Sequence, residues 1–261
     1  MGREELKYKY ERIIGESSAL VDCLKEVDKA VDSKLPVLIT GESGTGKELI
    51  ARAIHFQGPR GKYSFISENP ADISETLLET ELFGYAAGAF VGASRGKKGL
   101  LEVADKGSLF LDEISDVSLG LQAKIWQAFQ SRYYKTVGDE NRIHFDTRLI
   151  CATNDDLVAS VKKGNFREDL YDYVSQIKIT VPPLRERKDD IPLLIDYFLK
   201  KEAREKQGAE KETSTEAIEA LVAYCWSGNV RELENECIRL YGLSGTSITA
   251  KDISSRIRHL K

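Results

Sequence analysis

The stretch Gly41-Glu42-Ser43-Gly44-Thr45-Gly46-Lys47 follows a short apolar run, Val37-Leu38-Ile39, and opens an amphipathic segment, Leu49-Ile50-Ala51-Arg52-Ala53-Ile54. A strand, a glycine-rich turn and a helix start are what a phosphate cradle needs. The glycines let backbone N–H groups close around oxygens, the helix N-terminus contributes its dipole, and Lys47 supplies a cation. A G-x-x-x-x-G-K pattern ordinarily ends in Ser or Thr, whose hydroxyl contacts magnesium; Glu48 stands there instead. In its strand–turn–helix setting the motif implies nucleotide binding.

Working outward, the 261 residues can bury one substantial core and a smaller appendage. A charged fraction of 31% with ordinary aliphatic content excludes a disordered chain. Net charge is −4, which argues against a nucleic-acid footprint over the whole chain. Neither a signal-like apolar region nor a run of membrane-spanning length occurs, so a cytoplasmic protein is expected. The four cysteines (Cys23, Cys151, Cys225, Cys237) lack metal-ligand spacing, and Cys151 and Cys225 are expected in apolar surroundings as reduced core thiols. His55, His144 and His259 are scattered and form no metal or catalytic pattern.

Five β-like runs, Val37–Thr40, Ser64–Ser67, Ser108–Asp112, Leu149–Thr153 and Ile177–Val181, alternate with segments of helical apolar spacing, such as Leu121 to Phe129. That alternation predicts an α/β fold with a five-stranded parallel sheet flanked by helices. After Pro182-Pro183, residues 190–207, 214–225 and 229–243 read as helices with no strand between them, and the charged run Glu202–Glu212 as a solvated helix end or loop. The expected division is 1–184, an α/β nucleotide domain, and 185–261, a small helical domain.

Gly107-Ser-Leu-Phe-Leu-Asp112-Glu113 is the natural partner of the phosphate loop. An apolar strand ends in two carboxylates at the sheet edge where open α/β sheets bind ligands. Asp112 is placed to hold a magnesium–water shell, and Glu113 to orient and deprotonate an attacking water. Asn154, just past Leu149–Thr153, is a polar tip at the same edge.

With these residues in view, the chain resembles the AAA+ central domain of bacterial enhancer-binding proteins, the ATP-driven activators of sigma-54 RNA polymerase. The resemblance covers essentially the whole chain. It rests on Gly41-Glu-Ser-Gly-Thr-Gly-Lys-Glu48, in which Glu48 is the family's usual residue, and on Glu81-Leu-Phe-Gly84, Gly88-Ala-Phe90, Leu109-Phe-Leu-Asp-Glu-Ile114 and Leu121-Gln-Ala-Lys124. Further along it rests on Ala152-Thr-Asn154, Phe166-Arg-Glu-Asp-Leu-Tyr171, Pro183-Leu-Arg-Glu-Arg187 and Gly228-Asn-Val-Arg-Glu-Leu233. It implies an AAA+ P-loop NTPase fold with a C-terminal helical lid, ATP and Mg2+ as cofactors, and a hexameric ring, with a heptamer as the alternative.

The resemblance also assigns roles. Lys47 and the loop Gly41, Glu42, Ser43, Gly44, Thr45 and Gly46 would hold the phosphates, with Glu48 and Leu49 continuing that run, and Ile14-Gly15 would pack the adenine. Asp112 and Glu113 would be the Walker B pair, Asp112 the metal residue, and Asn69 the asparagine bonded to the catalytic glutamate. Asn154 would be sensor I and Arg231 sensor II. Arg167 would be an arginine finger entering the neighbouring subunit's site, which makes a ring necessary for activity.

Four departures bear on output. The family's Gly-Ala-Phe-Thr-Gly-Ala loop, which contacts sigma-54, is here Gly88-Ala89-Phe90-Val91-Gly92-Ala93, and Val91 lacks the threonine hydroxyl. Tyr173 takes the place of a second arginine and cannot replace a guanidinium at a phosphate. Thr136-Val137-Gly138 replaces Arg-Val-Gly, and Asn69-Pro70-Ala71-Asp72 replaces Asn-Cys-Ala-Ala. Two readings follow: an ATPase that remodels the sigma-54 polymerase closed complex with altered coupling, or a nucleotide-regulated assembly module controlling transcription without that remodelling. DNA contact is expected only through a domain absent from this chain, and no membrane contact is expected.

Overall fold

A computed structural model describes residues 2–258. Among these, the packing resolves two compact units, residues 26–40 with 47–180 and residues 2–25 with 41–46 and 181–258.

The first unit is built on five parallel strands, β1 (Val37–Thr40), β2 (Phe65–Glu68), β3 (Ser108–Leu111), β4 (Arg148–Thr153) and β5 (Ile177–Thr180), in the order β2-β3-β4-β1-β5. Central position and composition agree. Every residue of β3 and β4 is buried, as continuous apolar runs require when both sheet faces are covered, whereas edge strand β5 alternates. Thr40 pairs with Thr153 and Thr180, so β1, β4 and β5 end together; β3 runs beside β4 and hands the chain to Asp112. The strand expected over Ser64–Ser67 lies one residue later.

Helices α1 (Ser18–Asp32), α2 (Lys47–Gln57), α3 (Glu75–Phe83), α4 (Leu119–Ser131) and α5 (Glu168–Val174) follow the apolar periodicity. The start of α4 is set by Ser118, whose hydroxyl accepts from Leu121 N at 3.3 Å, and its end by Arg132 in left-handed geometry. Leu121, Ile125 and Phe129 of α4 pack with Leu109, Leu149 and Leu170 in the core of this unit.

In the second unit, α6 (Ile191–Glu205), α7 (Thr215–Ala223) and α8 (Asn229–Leu243) surround Trp226, which is fully buried with its indole N–H donating to Leu221 O at 2.8 Å. One expectation fails here, and another holds except at its first residues: positions 204–210 of the charged run are exposed at and beyond the end of α6. Glu212–Thr213 pairs in parallel with Ser247–Ile248, so a two-residue ladder does lie among the helices. Glu202 is buried at the end of α6 and paired with Lys206 at 2.9 Å, because the apolar stripe of that helix continues to Ala203. Cys225 is exposed rather than apolar-packed, while Cys23, Cys151 and Cys237 are buried. No helix among the described residues is long and apolar enough to cross a membrane. The His259 reading lies outside the described residues.

His55 is structural. Its Nε2 donates to Tyr63 O at 3.1 Å and its Nδ1 accepts from Ser108 Oγ at 2.9 Å, the assignment a carbonyl partner demands. Burial, with Arg148 and Arg60 nearby, holds the imidazole below its ordinary 6.5. Folding therefore disfavours the second proton: stability is full above pH 6.5 and falls as pH drops toward the depressed value. Urea midpoints measured against pH should show this fall in the wild type and a flatter profile in His55→Ala, which should also cost about 1–3 kcal/mol at pH 8 by orphaning Ser108.

Candidate functional site

In the unit of residues 47–180, Lys47 is the first residue of α2 and is buried. Its ammonium donates to Glu113 Oε1 at 3.2 Å, and Glu113 Oε2 accepts from Asn154 N at 2.9 Å. Glu113 reaches this position from a left-handed backbone, φ 58° and ψ 57°, a conformation a non-glycine residue holds only when its surroundings enforce it. Beside it, Asp112 Oδ1 is buried and has no hydrogen-bond partner. Burial, then the charge of Glu113, raises the Asp112 carboxyl above its ordinary value, with Lys47 opposing. An orphaned buried carboxylate oxygen beside a second carboxylate is the donor set a hard divalent cation suits.

Asn69 does not join them. Its Oδ1 accepts from Ala71 N at 3.1 Å, capping the turn Pro70–Asp72, and its own N–H donates to Glu68 at 3.3 Å. Pro70 fixes that turn and so directs the carboxamide inward on its own backbone. Glu48 and Leu49 are exposed on α2, Glu48 paired with Arg52 at 2.7 Å. Arg167 is half-buried at the head of α5 and forked onto Asp169 at 3.0 and 2.7 Å, while its backbone N–H donates to the buried Gln122 side chain at 2.8 Å. Tyr173 is half-buried with its ring 5.9 Å from Phe129, and burial raises its phenol further above neutrality.

The loop Gly88–Ala93 closes on itself, Gly88 N donating to Ala93 O at 2.7 Å. Phe90 is 46% exposed with its ring 4.9 Å from Tyr85, and Val91 is fully exposed. Ala86 N donates to Val137 O at 2.9 Å and Val137 N to Gly84 O at 3.0 Å. Two surface loops flagged separately in the sequence, those of Val91 and Thr136, thus share one base.

In the other unit, the loop 41–46 is bound by the helical segment. Glu42 takes both arms of Arg185, each at 2.7 Å, and a third bond from Asn229 Nδ2 at 3.1 Å. Asn229, fully buried, also donates to Ser43 O at 3.0 Å and accepts from Leu184 N at 2.8 Å. Arg187 donates to Thr45 O at 3.0 Å, Val230 N to Gly44 O at 3.0 Å, and Arg231 to Ser43 Oγ at 3.3 Å. Thr45 Oγ1 donates to Glu42 O at 2.8 Å. Four loop carbonyls that would repel an anion, those of Glu42, Ser43, Gly44 and Thr45, are therefore already engaged. Only glycine fits at position 44: φ is +77° and a Cβ would lie 2.4 Å from Gly228 O. Near Gly15, the buried Asp190 accepts from the backbone N–H groups of Glu16 and Ser17 at 2.6 and 2.8 Å, and Ile14 packs on the helical core.

Arg185, Arg187, Asn229 and Asp190 were missed as site residues. Their signal was the density of charge and amide in Pro183–Arg187 and Gly228–Leu233, which spacing alone cannot pair with a loop some 140 or more residues earlier.

Residues 13–180 match the family described as the Sigma-54 interaction domain, and residues 185–261 the AAA+ ATPase lid domain. The chain belongs to this family. Among relatives, the Nif-specific regulatory protein of Herbaspirillum seropedicae is 48% identical over 88% of this chain and 42% of its own length. Regulatory protein AtoC of Escherichia coli is 44% identical over 96% of this chain and 55% of its own. NtrX from Brucella abortus, solved in complex with ATP, superposes with TM-score 0.87 at 33% identity, covering 94% of this chain and 55% of that one. Hsp104, at 19% identity and TM-score 0.62, shares the fold. The chain spans about half the length of the curated relatives it matches.

Arg185 and Asn229 hold the Glu42 carboxyl at about 2, far below its ordinary 4.5. Its stabilising contribution is full above pH 4.5 and is lost as pH falls toward 2. The difference in urea midpoint between wild type and Glu42→Gln should be constant from pH 5 to 7 and narrow below 4.5; a constant gap down to pH 3 would refute the latch.

Proposed function

We propose that this chain binds and hydrolyses ATP as the motor domain of a sigma-54-dependent transcription activator, residues 1–184 forming the nucleotide domain and 185–261 the lid. The observation that carries the reading is the Lys47–Glu113 pair beside the orphaned Asp112 oxygen. Glu113 occupies the lysine as a phosphate would.

Gly46 and Lys47 are consecutive, so the loop 41–46 and the lysine can serve one ligand: loop amides and Lys47 bind the phosphates, and Ile14 and Gly15 pack the base. When the phosphates take Lys47, Glu113 is released to accept a proton from an attacking water, with Asn154 positioning it. Asp112 and its raised affinity for positive charge would hold Mg2+, which supplies neutralisation of phosphate charge when bound. Arg231 on the lid would reach the nucleotide through its place beside Ser43. Arg167, once it leaves Asp169, would enter a neighbour's site, which implies a ring, a hexamer or heptamer. The Phe90 loop would then contact sigma-54, and DNA would be bound by a domain outside this chain in a cytoplasmic protein.

The exposed Val91 and the half-buried, neutral Tyr173 favour a second reading, a nucleotide-regulated assembly module with weak or no turnover. ATP turnover per subunit across a wide concentration range separates the two. The motor reading expects a cooperative rise, loss of binding in Lys47→Ala, and a fall of about 10²–10⁴ in rate with binding kept in Glu113→Gln. Arg167→Ala should lose about 10³–10⁵ in rate, and mixing it with Glu113→Gln should restore part of the activity. ATP bound without turnover at every concentration would sink the motor reading.

A further inference from the structure

The sheet has a second edge. Ser108 and Arg148 open β3 and β4 and pair in register, and around them lie two cavities of about 310 and 210 Å³. Lys34, Arg60, Asp146 and Arg148 line both, so they form the two lobes of one cleft. Lys106 borders the first lobe and Arg132 the second. Asp112 and Asn154 lie at the opposite ends of the same strands, a separation on the order of 13 Å at the usual rise per residue.

Charge in this cleft is unbalanced. Five cations face one carboxylate, and that carboxylate is already taken: Arg60 Nη2 reaches Asp146 Oδ1 at 2.6 Å. Arg148 is the decisive residue. It is only 5% exposed, yet its Nε and Nη2 donate to backbone carbonyls, Leu35 O at 2.9 Å and Ala30 O at 2.7 Å. No carboxylate lies within ion-pair distance of it among the described residues. The end of α1 and two carbonyls offset a fraction of a unit charge, whereas a buried guanidinium ordinarily has a full counter-charge. Consistent with this, burial and the charge of Arg60 bring Arg148 down to about 10.

We propose that this cleft binds a small phosphate-type dianion, free or carried on a nucleotide, at a site separate from the Lys47 loop. Arg60 and Arg148 form its floor, and Lys34 and Arg132, both exposed, close over the ligand from the rim. The proposal does not rest on the nucleotide reading of the loop.

The test is calorimetric titration of inorganic phosphate, pyrophosphate and guanosine diphosphate into the intact chain carrying Lys47→Ala, so that the loop is silenced. One-to-one binding of any of the three, weakened at least tenfold when Lys34→Gln and Arg132→Gln are added, is expected. Saturation by phosphate or pyrophosphate would identify a free anion, and saturation by the diphosphate alone a nucleotide. Absence of binding by all three, or equal binding with and without the rim substitutions, would overturn the proposal. Far-UV circular dichroism checks folding of the rim variant; if it is unfolded, Lys34→Glu alone gives the same two outcomes.

Discussion

One constraint shapes the chemistry of this chain: two carboxylates must leave a dry strand side by side. β3 is buried along its length, so Asp112 and Glu113 emerge with little water to solvate them. Burial first, and then the neighbouring charge of Glu113, raise the Asp112 carboxyl above its ordinary value. The left-handed turn at Glu113 and the buried Lys47 resolve the conflict by swinging one carboxylate onto the ammonium. The other is left with an oxygen that nothing in the protein satisfies. A phosphate on Lys47 and a cation on Asp112 would satisfy both groups at once.

A different device governs the loop 41–46. Glycine gives it shape but no stability, and six side-chain hydrogen bonds from residues 185–231, with backbone bonds from Val230 and Arg231 to Gly44 O, supply what the loop lacks. Asn229 is central because its carboxamide satisfies one donor and two acceptors in full burial, so no other side chain of its size would leave all three paired. The same segment holds Glu42 ionised deep into acid, keeping the latch closed at any physiological pH.

The central strands β3 and β4 were legible because their short apolar runs are buried throughout, and β1 because Pro36 and Gly41 bound it; β2, an edge strand, slipped by a residue. The loop, Asp112, Glu113 and Asn154 were legible because each follows such a run directly. What was not legible depends on distance in sequence or on competition within it. Glu42 with Arg185 is a long-range pair with no periodic signature. Asn69 turns to its own backbone because Pro70 makes a cap available two residues on. Cys225 follows an apolar helix but sits past its last turn, beside Trp226, which takes the buried place instead. The ladder of Thr213 with Ile248 is too short to show alternation.

Burial and the Glu113 charge raise the Asp112 carboxyl above its ordinary value, and the proposed magnesium would reverse that shift. Isotope-edited infrared or carbon-detected NMR titration of Asp112 in the intact chain, with and without magnesium and ADP, measures this directly. An elevated pKa in the free chain that collapses when both are added is the predicted result. An ordinary aspartate titration in the free chain, or an elevated one unmoved by magnesium and nucleotide, would contradict it.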